Sequence, residues 1–148
     1  MTDKILFRWL QNILEENSQT KAIKIVVGHH AMESASLVHG KQPMLVQDLQ
    51  PLLKQYGVHL YMAGHDHNLQ HIHHRGDTLH HLVVGGGGYV TTLNALHPVY
   101  TPEEYPGLRF GASTYGFATI TVSSSSITVE FVDYLGDVIY STDLAIKL

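Results

Sequence analysis

The stretch Val58-His59-Leu60-Tyr61-Met62-Ala63-Gly64-His65-Asp66-His67-Asn68 is a largely apolar run that ends in a glycine and two histidines one residue apart. Val58 to Ala63 has the length and residue types of a buried strand, and the glycine beyond it lets the backbone turn sharply. A second segment is built the same way. Ala22-Ile23-Lys24-Ile25-Val26-Val27 is β-branched and mostly apolar, and it closes in Gly28-His29-His30. Between the two lie a polar loop to about Gln42 and a helical pattern at Met44, Leu45, Leu49, Leu52, Leu53 and Tyr56, stopped by Gly57. Pro51 inside that pattern should kink the helix or divide it into two turns. Strand, helix and strand make a βαβ unit, which predicts two parallel, buried strands.

Outward from this unit, Ile5, Leu6, Trp9, Leu10, Ile13 and Leu14 recur at helical spacing and predict an amphipathic helix over residues 3–17. Downstream the pattern becomes antiparallel. Leu69–His73 and Thr78–Val84 read as a hairpin around Arg75-Gly76-Asp77, followed by a long loop from Gly85 through Leu108. Phe117–Val122, Ile127–Tyr134 and Val138–Leu144 read as three closing strands, with turns at Ser123–Ser126 and Gly136-Asp137. The fold class is therefore α/β, a parallel βαβ unit followed by antiparallel strands.

At 148 residues the expectation is a single domain spanning 1–148. Apolar residues at 44% and charged residues at 15% suit a packed core. A net charge of −4 gives no reason to expect nucleic acid or an anionic membrane as partner. No segment has the length of a membrane-spanning helix. Polar residues interrupt the N-terminal segment, so no signal peptide is read there and the compartment stays open. The absence of cysteine removes disulfides, thiolate metal sites and a cysteine nucleophile. Histidine is in excess, at 12, and histidine is the commonest metal ligand.

Both candidate parallel strands finish in Gly-His, and open α/β sheets bind ligands beyond the carboxyl ends of their strands. Imidazoles from two neighbouring strand ends can converge on one cation, or on two that share bridging ligands. His29 directly follows the glycine that ends its strand; His30 is the alternative ligand. His71, His73 and His80 fall in the hairpin and read as alternating across it with no metal. Tyr115 reads as a core residue.

"VVGHH" (26–30), His39-Gly40 and "LQPLLKQYGVHLYMAGHDHNLQHI" (49–72) resemble the C-terminal half of calcineurin-like metallophosphoesterases of the purple, or tartrate-resistant, acid phosphatase type. The likeness runs from about residue 23 to the C-terminus and includes "GLRFGAS" (107–113). It implies half of a metallophosphoesterase β-sandwich flanked by helices. It also implies that His29 and His65 ligate a divalent metal, that His67 ligates a ferric ion, and that His39 contacts phosphate and protonates the leaving group. Gly86 and Gly87, in the glycine-rich loop, would border the substrate. The implied cofactor is a dinuclear centre of iron with zinc, iron or manganese, acting on phosphate monoesters.

The chain departs from that pattern in two ways. "AMES" (31–34) stands where the family has a proline and an aromatic residue, and the interval from His29 to His39 is one residue longer. There is no Gly-Asp-x-His-Gly, no Gly-Asp-Asn followed by Tyr, and no Gly-Asn-His, the elements that supply the family's Asp, Tyr and Asn ligands. The centre is thus incomplete in this chain, which is expected to be inactive or weak alone, and to associate with an N-terminal segment or with itself. Two alternatives remain: a non-catalytic metal-binding or interaction module that retains a half-site, and a nucleotide phosphodiesterase of the same superfamily.

Overall fold

A computed structural model describes residues 2–36, 39–90 and 105–146. Helix α1 (Thr2–Glu16) leads to strand β1 (Ile25–Val27), then a π-helical turn (Leu45–Leu49) and helix α2 (Gln50–Gln55). Strands β2 (Leu60–Ala63), β3 (Leu69–Ile72), β4 (His80–Val84) and β5 (Leu108–Ala112) complete a five-stranded sheet in the order β1-β2-β4-β3-β5. Strands β6 (Gly116–Val122), β7 (Ser126–Asp133) and β8 (Val138–Ala145) form an antiparallel sheet in sequential order.

The βαβ reading is confirmed: β1 runs parallel to β2 with Val26 opposite Tyr61, and β2 runs parallel to β4 with Tyr61 opposite His81. The hairpin is confirmed too, with His71 opposite Leu82 in the antiparallel pairing of β3 with β4. Pro51 lies in the first turn of α2, where its missing N–H is harmless, and the helix is divided there by the preceding π turn.

Alternation along β2 sends successive side chains to opposite layers. Tyr61 and Ala63 pack with Leu14, Met32, Leu53 and Val83 on the helical side. Leu60 and Met62 pack with Leu69, Leu82, Ile127 and Phe131 between the two sheets. The result is three layers: helices, the mixed sheet, and the antiparallel sheet.

Three expectations need correction. Strand β1 is parallel but not buried. It is the outer strand of the sheet, and Val27 is 74% exposed because no further strand covers it. Helix α1 forms as expected, yet Ile5, Leu6 and Trp9 face solvent while only Leu14 reaches the core fully. Strand β5 begins where the loop read from Gly85 through Leu108 ends, in residues that carried no assignment. Its Leu-Arg-Phe-Gly-Ala sequence is too short and mixed to signal a strand, and pairing with β3 supplies the ladder that fixes it. Tyr115, expected in the core, is about half exposed.

Candidate metal centre at the strand tips

Beyond the last paired residues of β1 and β2 the backbone ladder continues. Gly28 N–H donates to the Met62 carbonyl at 2.9 Å, and the amides of Gly64 and His65 both donate to the His29 carbonyl, at 3.1 and 2.9 Å. Those bonds hold the two Gly-His elements side by side. A Cβ at Gly28 would lie 2.2 Å from the Tyr61 hydroxyl, so glycine makes room for that side chain to pass. The Tyr61 hydroxyl then donates to the His30 carbonyl at 2.8 Å. Burial pushes its pKa up to about 12, so it stays a donor across the whole neutral range.

The segment after His30 was read as a polar loop, but Ala31 to Ser36 are all buried. Gln70, on β3 and fully buried, accepts from the Ala35 amide at 2.8 Å. Its amide nitrogen donates to Ser34 Oγ at 2.9 Å and to Asn68 Oδ1 at 2.6 Å. Glu33 accepts from His74 Nε2 at 3.1 Å and from Gln50 at 3.1 Å, with Lys41 Nζ at 3.3 Å. These contacts, invisible to sequence periodicity, fasten the histidine-bearing loop to the sheet and to α2.

The geometry brings most of the expected residues together. His65 Nδ1 lies 3.0 Å from His29 Nε2. The His39 ring is centred 4.4 Å from that of His65, and its Nε2 is 3.8 Å from Asp66 Oδ1. Loss of solvent and the neighbouring His39, His30 and His29 hold the His65 pKa below the ordinary histidine value, with Asp66 opposing them. A neutral imidazole there keeps a lone pair for a cation.

The His67 ring meets the edge of Tyr89 at 5.2 Å. Beside His29 and His65 stands His30: one nitrogen each from His29, His30 and His65 lie within 4.8 Å of one another. Among the described residues no carboxylate joins that group. The donor set therefore suits one cation and does not form a two-cation cage. Asp66, which sequence reading passed over, is fully buried, and neither of its oxygens has a hydrogen-bond partner among the described residues. Gly86 is closed in by backbone, since a Cβ there would lie 2.6 Å from the Thr114 carbonyl; Gly87 faces open space.

The hairpin histidines form a separate network. His71 joins His80 at 2.9 Å and the Tyr140 hydroxyl at 2.8 Å, and His73 stacks on His80 at 3.9 Å. Burial and neighbouring histidines lower the His71 pKa to about 4 and that of His80 to about 3.

Comparison with known proteins gives a consistent outcome. Residues 2–69 match the family model for calcineurin-like phosphoesterases, and residues 79–140 match that for iron/zinc purple acid phosphatase-like protein C. Purple acid phosphatase 4 of Arabidopsis thaliana is 36% identical over 140 residues, covering 91% of this chain and 40% of that protein. Human tartrate-resistant acid phosphatase type 5 is 34% identical over 122 residues, covering 81% of this chain and 37% of that protein. The chain thus spans about two-fifths of the length of these curated relatives. Among solved structures, the purple acid phosphatase PPD1 from yellow lupin seeds superposes with a TM-score of 0.78 at 22% identity, over 94% of this chain and 28% of that one. A structure described as GAP50, the anchor in the inner membrane complex of Plasmodium, superposes with a TM-score of 0.77 at 27% identity, over 96% of this chain and 42% of that one.

Proposed function

The chain belongs to the calcineurin-like metallophosphoesterases of the purple acid phosphatase type, whose C-terminal part it carries, and on that premise we propose that it supplies one side of a phosphate-monoester hydrolase site. The observation that carries this reading is the meeting of His29 and His65 at 3.0 Å on the tips of adjacent parallel strands, with His39 beside them.

Within such a site this chain's residues have separable tasks. His29 and His65 present ring-nitrogen donors to a cation, fixed by the backbone bonds that join their strand ends. His39 stands at the rim, a third exposed, with its Nε2 3.8 Å from an oxygen of buried Asp66. From there it can hydrogen-bond a phosphate oxygen, or hand a proton to the departing alkoxide. Gly87, with open space around it, leaves room for the ester. The dinuclear centre of the related enzymes needs carboxylate ligands from outside these 148 residues, and alone the chain does not hydrolyse phosphate esters.

The test joins this chain to the remaining part of Arabidopsis purple acid phosphatase 4 and measures p-nitrophenyl phosphate hydrolysis. Metal-dependent turnover, lost in His65→Ala and reduced about 10²-fold or more in His39→Ala, is expected. A folded, metal-loaded chimera without turnover would overturn the hydrolase reading. Robust turnover by the 148-residue chain alone would overturn its incompleteness.

A second reading, a non-catalytic module that retained the histidine half-site, draws support from the carboxylate-free cluster and from the likeness to a protein described as an anchor. Under that reading the chimera binds metal and stays inert.

A further inference from the structure

We infer that the outward face of helix α1 is the contact surface of a homodimer, packed against the same face of a second copy, with the two helices antiparallel about a two-fold axis. The surface lies apart from the histidine cluster, and it stands independently of the hydrolase reading.

Helix α1 has two apolar faces. At about 100° per residue, Phe7, Leu10 and Leu14 share one side, and they pack into the core. Ile5, Leu6, Trp9 and Ile13 share another, and they are between 40% and 70% exposed. Single apolar residues on a surface are ordinary, but a contiguous stripe of this kind marks an interaction site. The stripe continues into a cleft of about 410 Å³ that Leu6 and Trp9 line together with Val27 and Met44.

Charge indicates what covers the stripe. Lys4, Arg8 and Glu15 fall within about 40° of one another on one flank of it, and Glu16 stands on the stripe itself. All four are exposed, and the ion pairs among the described residues include none of them. They do not neutralise one another within the helix either, since neither cation has a glutamate three or four positions away. Asp3 excepted, the basic residues precede the acidic ones, which is the order that opposes the helix dipole.

A second α1 running the opposite way relieves both conflicts. A two-fold axis through the middle of the helix sets Lys4 and Arg8 of each copy against Glu15 and Glu16 of the other. It also brings the two Trp9 side chains together near the axis. Such self-complementarity is what an interface between identical surfaces requires. An anionic membrane is a poorer match, because the two glutamates would face it beside the two cations.

The test is sedimentation equilibrium of the 148-residue chain over a range of concentrations, with tryptophan emission recorded alongside. Trp9 is the only tryptophan, so the emission reports on this face alone. A monomer–dimer equilibrium is expected, with emission moving to shorter wavelength as dimer forms. Reversing one end (Lys4→Glu with Arg8→Glu) should weaken dimerisation at least about tenfold, and so should reversing the other (Glu15→Lys with Glu16→Lys). Mixing the two variants should restore a dimer with one chain of each, since every acidic end then meets a basic one. A chain that stays monomeric, a dimer that leaves Trp9 emission unchanged, or variants that do not recombine would each overturn the assignment. So would an emission that responds to anionic phospholipid vesicles and not to concentration. Should a variant fail to fold, the concentration dependence of Trp9 emission in the wild-type chain still decides. Neither metal nor ester is read, so failure here and failure of the hydrolase reading are distinguishable.

Discussion

Replacing Gly28 by alanine tests how the strand tips are held, and the cost can be worked from the contacts. The added Cβ would sit 2.2 Å from the Tyr61 hydroxyl, 3.0 Å from Cζ and 3.2 Å from Cε2, whereas ordinary contact begins at 3.4 Å. Gly28 has a negative or extended φ, so backbone strain is not the issue and alanine would even gain slightly by restricting the unfolded chain. Overpacking against a buried ring costs about 1–3 kcal/mol. Tyr61→Phe removes the hydroxyl donated to His30 and should cost about 1 kcal/mol by itself. The two changes together should not add. Without the hydroxyl the severe overlap is gone, and only the two ring-carbon contacts remain, each needing a shift of a few tenths of an ångström. The double variant should therefore be more stable than the sum of the singles implies, by about 1–2 kcal/mol. Urea unfolding followed by far-UV circular dichroism measures all four corners of the cycle. Additivity within about 0.5 kcal/mol, or a Gly28→Ala protein as stable as the parent, would refute the claim that Tyr61 sets the requirement for glycine.

Three further outcomes are expected. Gln70→Ala leaves the Ala35 amide and the Ser34 hydroxyl without their buried partner, and should lower the unfolding free energy by about 2 kcal/mol or more in the same urea assay. Glu33 is pushed up by burial but pulled down more strongly by the His74 hydrogen bond and charge, then by Lys41 and Gln50, so its folded pKa lies below 4.5. Its contribution is present above that unfolded value and is lost as pH falls through the folded one. The stability of Glu33→Gln should accordingly fall less steeply than wild type below pH 4.5. His81 is fully buried, neither ring nitrogen has a hydrogen-bond partner among the described residues, and burial lowers its pKa from 6.5 to about 4. Only the unfolded chain takes up that proton between those values, so stability drops with acidity there. His81→Phe should remove up to about 1.4 kcal/mol per pH unit from the slope, measured as unfolding free energy against pH.

Periodicity and punctuation made much of the fold legible. The run Val58–Ala63 and its echo at Ile23–Val27 announced parallel neighbours because two apolar runs of strand length, each ending in glycine and joined through a helix, make a βαβ unit. Pro51 announced the break between the π turn and α2. The pairing of His29 with His65 was legible for the same reason, as each follows the glycine at a strand tip. What stayed hidden depends on partners distant in sequence. Nothing local says that β1 has a neighbour on one side only, that Gln70 reaches across 35 residues to Ala35, or that β5 becomes a strand through β3. The destination of His67 was equally hidden, because alternation fixes the side on which a ring departs and not the torsions beyond Cβ. His30 was visible only as an alternative to His29, although the turn held by Tyr61 lets both rings reach His65.

The open flank of β1 has a consequence for how assembly and ion binding are linked. Among the described residues its outward amides and carbonyls have no ladder beside them, and Val27 at its tip is two residues from His29. Any strand that zipped onto this margin in the same direction would end next to the imidazoles and bring its own terminal side chains within their reach. Joining and ligation would then be two readings of one equilibrium, each raising the other's affinity by the same factor. A chelator would loosen such a complex, and dilution would release the ion.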